Sequence, residues 1–565
     1  MELSELVEAA EQWLEQDSDM ATQLQLLELL DGLAANPQAQ AELADCFSSS
    51  LQFGTAGLRG ALGPGPNRMN RVTVARAAAG LGQYLQSQGQ AGNCIVIGYD
   101  GRHYSQQFAV DSAEIFAGLG FAVQIFESVV PTPVLAYSIR QLGACAGVMV
   151  TASHNPAGDN GYKVYLADGR QIVPPSDVEI AQMISLVGDV RNLARSSSYQ
   201  HVSPEVIDNY IKQTAQLALA GPIEQSQIAQ VQCVYTAMHG VGWQTFSSVL
   251  SAAGFAQPIS VAPQQNPDPD FPTVKFPNPE EPGALDLAVA TAKLQGGELI
   301  LANDPDADRL AVALPTETGN WQMLRGDQVG VLLGWWVIER NKIMGKRLTG
   351  SFANSLVSST QLAGIAKAAG LEFQATLTGF KWVSRVPNLK YGYEEALGYC
   401  VDPDLVSDKD GISAALLFLE LFAYLKSIHT NIWQLLDEIS SEFGLHVTSQ
   451  ISIRISDVGQ VKHVMSSLRN SKVASIGPFV VEKFTDLAVG ETLPATNGLI
   501  FELAEVGAVS WARVIVRPSG TEPKIKCYLE VKSELSDLNV AKQECDLALE
   551  QIALAMEPLL TGGVQ

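Results

Sequence analysis

Residues 147–156, GVMVTASHNP, begin with an uninterrupted apolar run and then change abruptly to polar side chains and a turn. A short apolar run that ends at a turn is typical of a strand buried on both faces, as in a parallel sheet. In open α/β sheets, ligands bind outside the carboxyl ends of the strands. The sequence therefore predicts an α/β fold in which Ser153 and His154 lie at a ligand-binding edge.

Ser153 has two interpretations at this position. A serine beside a histidine at the end of a strand is a candidate nucleophile or phosphate carrier. Serine and asparagine are also common turn residues, so Ser153 and Asn155 could only shape a loop. This stretch alone leaves both interpretations open.

The stretch NDPDADR places Asp304, Asp306 and Asp308 at alternate positions after an apolar run. Three carboxylates this close repel one another unless a cation lies among them, and their hard oxygen atoms suit Mg²⁺. An EF-hand calcium loop also opens with alternating acids, but it needs glycine at its sixth position and an acid at its twelfth. Arg309 and Pro315 stand there instead, so the EF-hand interpretation fails.

Two later stretches carry groups suited to binding a sugar phosphate. Residues 392–399, GYEEALGY, offer two adjacent acids between glycines, and such acids can accept hydrogen bonds from sugar hydroxyls. Residues 517–524, RPSGTEPK, combine backbone donors, hydroxyls and positive charge in a compact turn. That combination is suited to binding a phosphate group.

The remaining pattern predicts the domain organisation. Strand, helix and strand signals follow one another between residues 71 and 127, which indicates a parallel sheet. We expect three consecutive α/β domains with mixed, mostly parallel sheets, a smaller C-terminal α+β domain, and a cleft between them. The predicted boundaries are 1–220, which includes two short N-terminal helices, then 221–325, 326–442 and 443–565. Residues 267–285 read as a proline-rich connection whose acids face solvent.

The net charge of −24 argues against binding to nucleic acids or anionic membranes. The same charge would repel a sugar phosphate, so such a site would need its own cations. Basic residues beside polar or glycine-rich loops could supply them, although any one of them could equally be solvated surface. These residues are Arg59, Arg102, Lys163, Arg309, Lys381, Lys409, Arg517 and Lys524.

The location is predicted to be cytoplasmic. The seven cysteines are scattered and odd in number, which favours a reducing compartment. The acidic, amphipathic start of the chain lacks the basic region and apolar core of a signal peptide. No stretch approaches the roughly 18 to 20 apolar residues of a membrane helix.

The four stretches, in this order and at these separations, resemble the α-D-phosphohexomutase family, which includes phosphoglucomutases and phosphomannomutases. TASHNP is similar to the family's phosphoserine loop, DPDADR to its magnesium loop, GYEEALGY to its sugar-recognition loop and RPSGTEPK to its phosphate-binding loop. The resemblance spans residues 53–530. Within the family, GYEEALGY and the N-terminal extension are most similar to the phosphoglucomutase-2 branch, some members of which act on pentose phosphates.

The resemblance implies a phosphoserine mutase, an isomerase that interconverts hexose 1-phosphate and hexose 6-phosphate through a sugar bisphosphate. Glucose is the favoured sugar, mannose is possible, and a phosphopentomutase is the alternative. Mg²⁺ and glucose 1,6-bisphosphate are the implied cofactor and activator. The implied partner is a small sugar phosphate, and the chain is expected to be a monomer or a homodimer. A domain lid would carry the phosphate loop and move between the half-reactions.

The resemblance also assigns roles to individual residues. The implied catalytic residues are Ser153, His154, Lys163, Arg59 and Arg309, with His154 and Lys163 as alternative proton carriers. The implied metal ligands are Ser153, Asp304, Asp306 and Asp308. The implied substrate-binding residues are Thr378, Gly379, Lys381, Glu394, Glu395, Lys409, Arg517, Ser519, Gly520, Thr521 and Lys524. Hexomutases often have serine where this chain has Ala396, which leaves one hydroxyl contact and the sugar preference open.

Two functions from other classes compete with a mutase. A serine hydrolase would use Ser153 with a histidine, but the Gly-x-Ser-x-Gly elbow is missing, and the aspartate and RPSGT stretches would have no role. A catalytically silent sugar-phosphate sensor would keep the fold without turnover. The serine and the intact acid triplet argue against a sensor without excluding it.

Overall fold

The computed structural model describes residues 2–54, 57–454, 458–471, 473–490, 493–518 and 524–561. The chain divides into two compact units. The first unit comprises Met1–Leu324 and Gly398–Ala423, and the second comprises Arg325–Leu397 and Tyr424–Gln565.

Three helices, not the predicted two, precede the first sheet: α1 (Leu3–Gln16), α2 (Met20–Gly32) and α3 (Pro37–Phe47). The additional helix, α3, begins at Pro37, and the side chain of the preceding Asn36 caps it. The buried ring of Trp13 packs edge-on against Phe47 at 6.0 Å between centroids. These helices therefore share a core with the first sheet.

The strands of the first sheet lie in the order β1-β5-β4-β2-β3-β6. Its central strands β4, β2, β3 and β6 are parallel, and β1 and β5 are antiparallel to their neighbours. The strands are β1 (Leu58–Ala61), β2 (Cys94–Tyr99), β3 (Ala122–Ile125), β4 (Ala146–Val150), β5 (Asp159–Leu166) and β6 (Gln200–His201). The helices are α4 (Arg71–Ser87), α5 (Ser105–Gly118), α6 (Thr132–Gln141), α7 (Ser176–Leu186), α8 (Pro204–Leu219) and α9 (Gln225–Ile228), with a short 3₁₀ helix at Val190–Asn192.

Strand β4 is buried along its whole length, as its apolar sequence predicts. At Gly147 a Cβ atom would lie 2.3 Å from Ile139 Cδ1, so helix α6 packs directly on the strand backbone at a residue without a side chain. This close packing fixes the position from which the turn after β4 departs.

The second sheet has the order β11-β10-β9-β7-β8, with β9, β7 and β8 parallel. Its strands are β7 (Cys233–Thr236), β8 (Ile259–Ser260), β9 (Leu299–Ala302), β10 (Ala311–Pro315) and β11 (Trp321–Met323). Helices α10 (Gly242–Ala253) and α11 (Asp286–Gln295) and a 3₁₀ turn at Ala262–Gln264 connect them. The connection predicted at 267–285 follows that turn, and its acids Asp270, Glu280 and Glu281 are exposed while Asp268 is half-buried.

In the second unit, strands β13, β12 and β14 pair in parallel in that order. They are β12 (Ser351–Ser355), β13 (Glu372–Thr376) and β14 (Leu389–Glu394), with helices α12 (Gly326–Ile343), α13 (Gln361–Ala368) and α14 (Phe380–Val383). The chain then returns to the first unit with β15 (Gly398–Cys400) and most of α15 (Gly411–Ser427), and α16 (Ile432–Phe443) belongs to the second unit.

The last sheet is antiparallel throughout, in the order β16-β21-β20-β19-β18-β17. Its strands are β16 (Leu445–Arg454), β17 (Ser475–Ile476), β18 (Phe479–Asp486), β19 (Leu499–Leu503), β20 (Trp511–Pro518) and β21 (Lys524–Ser533). Helices α17 (Val458–Asn470) and α18 (Leu538–Leu560) pack on it and share its apolar core.

Three mixed or parallel sheets with their helices, followed by an antiparallel sheet with packed helices, confirm the predicted fold class. In the part of the chain that the structure describes, no single helix is long and apolar enough to cross a membrane; only the bent pair α15 and α16, taken together, meets that test of length and composition. All seven cysteines are free thiols.

Candidate active site

Ser153 lies in the turn that follows the carboxyl end of β4, as predicted. Its backbone φ is +50°, a left-handed conformation that is uncommon for a residue with a side chain. Its N–H donates to Thr151 Oγ1 at 2.9 Å, and its Oγ donates to Asp304 Oδ2 at 2.5 Å. The turn therefore points the serine hydroxyl at the aspartate triplet.

Asp100 directly follows the neighbouring strand β2 and stabilises this turn through a hydrogen bond with Thr151. Its carboxylate accepts hydrogen bonds from Thr151 Oγ1 at 2.7 Å and from Ser105 Oγ at 2.6 Å. The sequence analysis did not select Asp100, although an acid directly after an apolar strand was a signal that could have found it. Arg102 was expected among the cations that attract a sugar phosphate, but it is buried and donates to backbone carbonyls of the Ser153 turn.

The aspartate triplet follows the carboxyl end of β9 and is buried. The carboxylate oxygen atoms of Asp304, Asp306 and Asp308 lie within 4.8 Å of one another. The turn contains Ala307 at a φ of +56°, and Tyr235 donates to Asn303 Oδ1 at 2.7 Å just before it. The residues that the sequence predicts as metal ligands are therefore brought together.

Two lysines balance much of the charge of the triplet. Lys163 Nζ, on β5, lies 2.6 Å from Asp306 Oδ2 and 2.9 Å from Asp308 Oδ2. Lys409 Nζ lies 3.2 Å from Asp308 Oδ2. Lys409, predicted to bind substrate, thus contacts the aspartate triplet in this structure.

Thr132, at the start of α6, is a further contact that the sequence analysis missed. Its Oγ1 donates to Asp306 Oδ2 at 2.6 Å, and its backbone N–H donates to the Asp306 carbonyl at 2.9 Å. A threonine between two prolines offers no periodic signal, so no sequence pattern would have indicated this role.

Burial and neighbouring charges shift the pKa of Asp304 upward and the pKa values of Asp306 and Asp308 downward. Burial, with the charges of Asp306 and Asp308, raises the pKa of Asp304 well above its usual value. Burial also favours the neutral forms of Asp306 and Asp308, but it is outweighed by Lys163 together with the Asp304 hydrogen bond at Asp306, and by Lys163 together with Lys409 and Arg309 at Asp308, so the pKa of both groups is lowered. Burial lowers the pKa of Lys163, yet the two carboxylates outweigh this effect and raise it, so Lys163 stays protonated.

The carboxylate oxygen atoms of the triplet are suitable ligands for a divalent cation. Asp306 Oδ1 and Asp308 Oδ1 are buried and accept no hydrogen bond from the described residues. Buried carboxylate oxygen atoms without donors are costly unless a cation balances them. Hard oxygen ligands of this kind are the ones that Mg²⁺ prefers, and Ser153 Oγ lies beside them.

His154 lies next to the serine hydroxyl, with Nδ1 3.2 Å from Ser153 Oγ. Burial, with the positive charges of Arg309 and Arg59, lowers the pKa of His154 well below its usual value. The imidazole is therefore neutral near pH 7.

Arg59 and Arg309 both lie near the Ser153 turn. Arg59 lies on β1 and donates from Nη1 to Asn155 Oδ1 at 3.1 Å. The backbone N–H of Arg309 donates to Asp304 Oδ1 at 3.0 Å, and its Nε lies 4.0 Å from Asp304 Oδ2. Both guanidinium groups thus add positive charge beside Ser153, as an anionic group there would need.

The predicted sugar-recognition residues lie in the second unit. Glu394 Oε1 accepts the Gly379 N–H at 2.6 Å. Glu395 Oε2 accepts hydrogen bonds from Ser355 Oγ at 2.9 Å and Ser358 Oγ at 2.8 Å. Ser355 ends β12 and Ser358 follows it, and neither serine was predicted. Their hydrogen bonds fix the Glu395 side chain, and the Gly379 amide orients Glu394.

The remaining predicted substrate contacts are partly described. Thr378 and Arg517 line one small cavity of about 10 Å³ in the second unit. The Lys381 side chain lies close to Gly379, since a Cβ atom added to that glycine would be 3.2 Å from Lys381 Cε. Lys524 begins β21, paired with Arg454. Ser519, Gly520 and Thr521 lie outside the described residues, and the substrate roles of all these residues stay predictions.

Comparison with known proteins decides the family. Models of the phosphoglucomutase/phosphomannomutase domains match in sequence order: α/β/α domain I to residues 50–187, domain II to 208–319, domain III to 325–442, and the C-terminal domain to 479–547. The chain belongs to the α-D-phosphohexomutase family. This phosphohexomutase is therefore an isomerase of the phosphosugar mutase type, while the four domain boundaries predicted from the sequence stay predictions.

Named relatives place the chain within the family. It is 49% identical to a probable phosphomannomutase of Haemophilus influenzae, over 82% of this chain and 93% of that one. It is 35% identical to a human phosphopentomutase, over 94% of each chain. The crystal structure of a putative phosphomannomutase from Thermus thermophilus shares the fold, with a TM-score of 0.65 at 23% identity, covering 89% of this phosphohexomutase and 99% of that chain.

Proposed function

We propose that this phosphohexomutase interconverts hexose 1-phosphate and hexose 6-phosphate, with glucose or mannose as the sugar, through phosphorylated Ser153 and a sugar bisphosphate. The observation that carries the proposal is the 2.5 Å hydrogen bond between Ser153 Oγ and Asp304 Oδ2, at the buried aspartate triplet. It puts a hydroxyl that can carry a phosphoryl group beside a set of hard oxygen ligands.

The first half-reaction transfers the phosphoryl group from Ser153 to a free hydroxyl of the sugar monophosphate. The bond between phosphorus and Ser153 Oγ breaks as a bond forms between phosphorus and the sugar oxygen. The sugar hydroxyl gives its proton to neutral His154, which returns a proton to Ser153 Oγ. The second half-reaction runs in reverse, with the other phosphate of the bisphosphate returning to Ser153.

We favour His154 over Lys163 as the proton acceptor. Lys163 is protonated and held between Asp306 and Asp308, so it can donate but not accept. Its charge, with those of Arg59 and Arg309, neutralises the charge on the transferred group, which is the main requirement of phosphoryl transfer.

A Mg²⁺ ion held by Asp304, Asp306 and Asp308, with an oxygen on Ser153, would supply further charge neutralisation and act as a Lewis acid. Asp306 Oδ1 and Asp308 Oδ1 face no donor among the described residues, which supports their use as ligands.

Two observations bear on the sugar. The relative with 49% identity is named a probable phosphomannomutase, which supports a hexose. A phosphopentomutase is the second candidate, because Ala396 lacks a hydroxyl found in many hexomutases and a human phosphopentomutase is 35% identical over 94% of the chain. A pentose has one hydroxyl fewer to recognise.

The proposal is tested by ³¹P NMR of the full chain with Mg²⁺ and a trace of glucose 1,6-bisphosphate. Glucose 1-phosphate, mannose 1-phosphate and ribose 1-phosphate are offered in parallel. We expect conversion of a hexose phosphate to the 6-phosphate at the highest kcat/KM, and none with Ser153→Ala. A matched control is Ser138→Ala, which changes a buried helical serine bonded to the Leu135 carbonyl. Full turnover in the Ser153→Ala protein would contradict the phosphoserine, and faster ribose turnover would favour the second candidate.

A further inference from the structure

We propose that Arg102 is a positioning residue that holds the Ser153 turn in its phosphoryl-transfer conformation, and that residues 267–271 hold Arg102 in place. We call residues 267–271 the strap. The proposal deepens the proposed function, because it rests on Ser153 as the group that carries phosphate. All the residues involved lie in the first unit.

Both terminal nitrogens of Arg102 donate hydrogen bonds to backbone carbonyls between Ser153 and Asp159, which span the Ser153 turn and the first residue of β5. Nη2 donates to the carbonyls of Ser153 and Asn155, both at 2.6 Å. Nη1 donates to the carbonyls of Pro156 at 2.7 Å and Asp159 at 3.2 Å. Since the planar fork of a guanidinium fixes the directions of its N–H bonds, Arg102 fixes where these carbonyls lie.

The Ser153 turn needs such support because its backbone is strained. Ser153 has a φ of +50°, and a left-handed backbone at a residue with a side chain persists only where the surroundings impose it. The Arg102 bond to the Ser153 carbonyl holds the peptide plane that follows Ser153. With that plane fixed, Ser153 Oγ stays 2.5 Å from Asp304 Oδ2.

The strap contacts Arg102 and both of its chain neighbours. The Arg102 guanidinium carbon lies 4.9 Å from the centroid of the Phe271 ring. A Cβ atom at Gly101 would lie 2.6 Å from Pro267 Cβ, and His103 Nε2 lies 2.7 Å from Asp270 Oδ1. A cation over an aromatic face is stabilised most when water is excluded, and both Arg102 and Phe271 are buried.

The strap is itself fixed to the second sheet. The Asp268 N–H donates to the His239 carbonyl at 3.0 Å, and His239 Nε2 lies 2.8 Å from Thr273 Oγ1. His239 follows β7, so it acts here as a turn residue that anchors the strap. Phe271 also has a left-handed backbone, with a φ of +46°, which persists only where the surrounding contacts impose it.

The test measures single-turnover phosphorylation of Ser153 by glucose 1,6-bisphosphate, followed by intact-protein mass spectrometry. Misplacement of reacting groups by about 1 Å can cost about 100-fold in rate, so we expect a loss of that size in Arg102→Ala, with KM for the sugar phosphate within twofold. Adding millimolar guanidinium should raise the transfer rate of Arg102→Ala by at least about tenfold. Phe271→Leu should lower the rate about fivefold and Phe271→Tyr should not, because only the tyrosine keeps a cation-binding ring.

A second measurement does not depend on catalysis. Hydrogen exchange of the backbone amides of residues 152–160 should rise in Arg102→Ala and Phe271→Leu, and guanidinium should reverse the rise in Arg102→Ala. Arg71→Ala is the matched control, because Arg71 makes a bidentate pair with Asp111 at 2.7 Å elsewhere in the same unit. Guanidinium should change neither the exchange of residues 152–160 nor the transfer rate in this control.

The outcomes separate the two proposals. If the wild-type protein incorporates no phosphate at Ser153, the proposed function fails, and hydrogen exchange alone decides the positioning role. If the wild type is phosphorylated but Arg102→Ala and Phe271→Leu react at the wild-type rate, with unchanged exchange, the positioning role is overturned. Arg102→Lys, which keeps the charge but loses the fork, replaces Arg102→Ala if that variant does not fold and should also react slowly.

Discussion

Ser153 Oγ and Asp304 Oδ2 are 2.5 Å apart although the two residues are 151 positions apart in the chain. Each residue follows the carboxyl end of a central parallel strand, β4 in the first sheet and β9 in the second. The hydroxyl and the acid therefore come from two different sheets, and their hydrogen bond depends on how those sheets are joined.

The triplet should lose its cation when one ligand loses its charge. We expect Asp306→Asn to weaken Mn²⁺ binding by at least about tenfold, because the amide is a poorer ligand and Lys163 keeps its positive charge beside the site. Electron paramagnetic resonance of Mn²⁺ measures this without turnover. Asp208→Asn, in an exposed acid of α8 in the same unit, should bind Mn²⁺ as the wild type does. Equal affinity in both variants would mean that the triplet binds no cation.

Thr132 should affect the cation through Asp306. Thr132→Val removes the 2.6 Å hydrogen bond to Asp306 Oδ2 and leaves a buried carboxylate short of a donor. Losing a supporting hydrogen bond of this kind typically costs about 10- to 100-fold in metal affinity, and we expect about tenfold here. Thr132→Ser should restore the affinity. A Thr132→Val protein that binds Mn²⁺ normally would show that Thr132 only packs helix α6.

Glu530 should make the second unit sensitive to acid. Burial raises the pKa of this carboxyl, but Arg513 and His446 outweigh it and lower the pKa to about 2. Because the folded-state pKa lies below the unfolded value of 4.5, the stabilisation is complete above pH 4.5 and is lost as the pH falls toward 2. The difference corresponds to about 3 kcal/mol.

Urea unfolding between pH 7 and pH 3 checks this prediction. The stability difference between the wild type and Glu530→Gln should be largest at pH 7 and should shrink as the pH falls. Glu534→Gln, in an exposed glutamate just after β21, should change stability by less than about 0.5 kcal/mol at every pH. A Glu530→Gln effect that does not vary with pH would argue against a charged Glu530.

Ala396 should influence the choice of sugar. Ala396→Ser adds a hydroxyl directly after Glu394 and Glu395, where it could bond to one more sugar hydroxyl. One such hydrogen bond is worth about 1 kcal/mol, so we expect the kcat/KM ratio of glucose 1-phosphate to ribose 1-phosphate to rise about five- to tenfold. Ala375→Ser, in an exposed residue of β13, should leave the ratio unchanged. A fall in the ratio would contradict the idea that this hydroxyl selects hexoses.

The sequence predicted the positions of the main site residues because they follow a general rule of sheets. Apolar runs locate β4 and β9, and the polar residues that follow them must lie at the carboxyl edges. The EF-hand pattern could also be excluded from spacing alone. These arguments need only local sequence.

Contacts that depend on packing between distant segments could not be predicted in this way. Arg102 stands in a turn and Thr132 at the first position of α6, so neither belongs to a periodic pattern, and their partners lie 51 or more residues away. Ser355 and Ser358 bind Glu395 only because β12 and β14 are neighbours in the sheet. Such hydroxyl and guanidinium contacts are set by tertiary structure, since nothing nearby in the chain specifies them.

The four carbonyl bonds of Arg102 have a consequence for the order of events in a catalytic cycle. If Arg102 positions the Ser153 turn as proposed, the turn keeps one geometry and does not swing toward a second phosphate. Two successive transfers at one immobile oxygen require the small molecule to reverse its own direction between them.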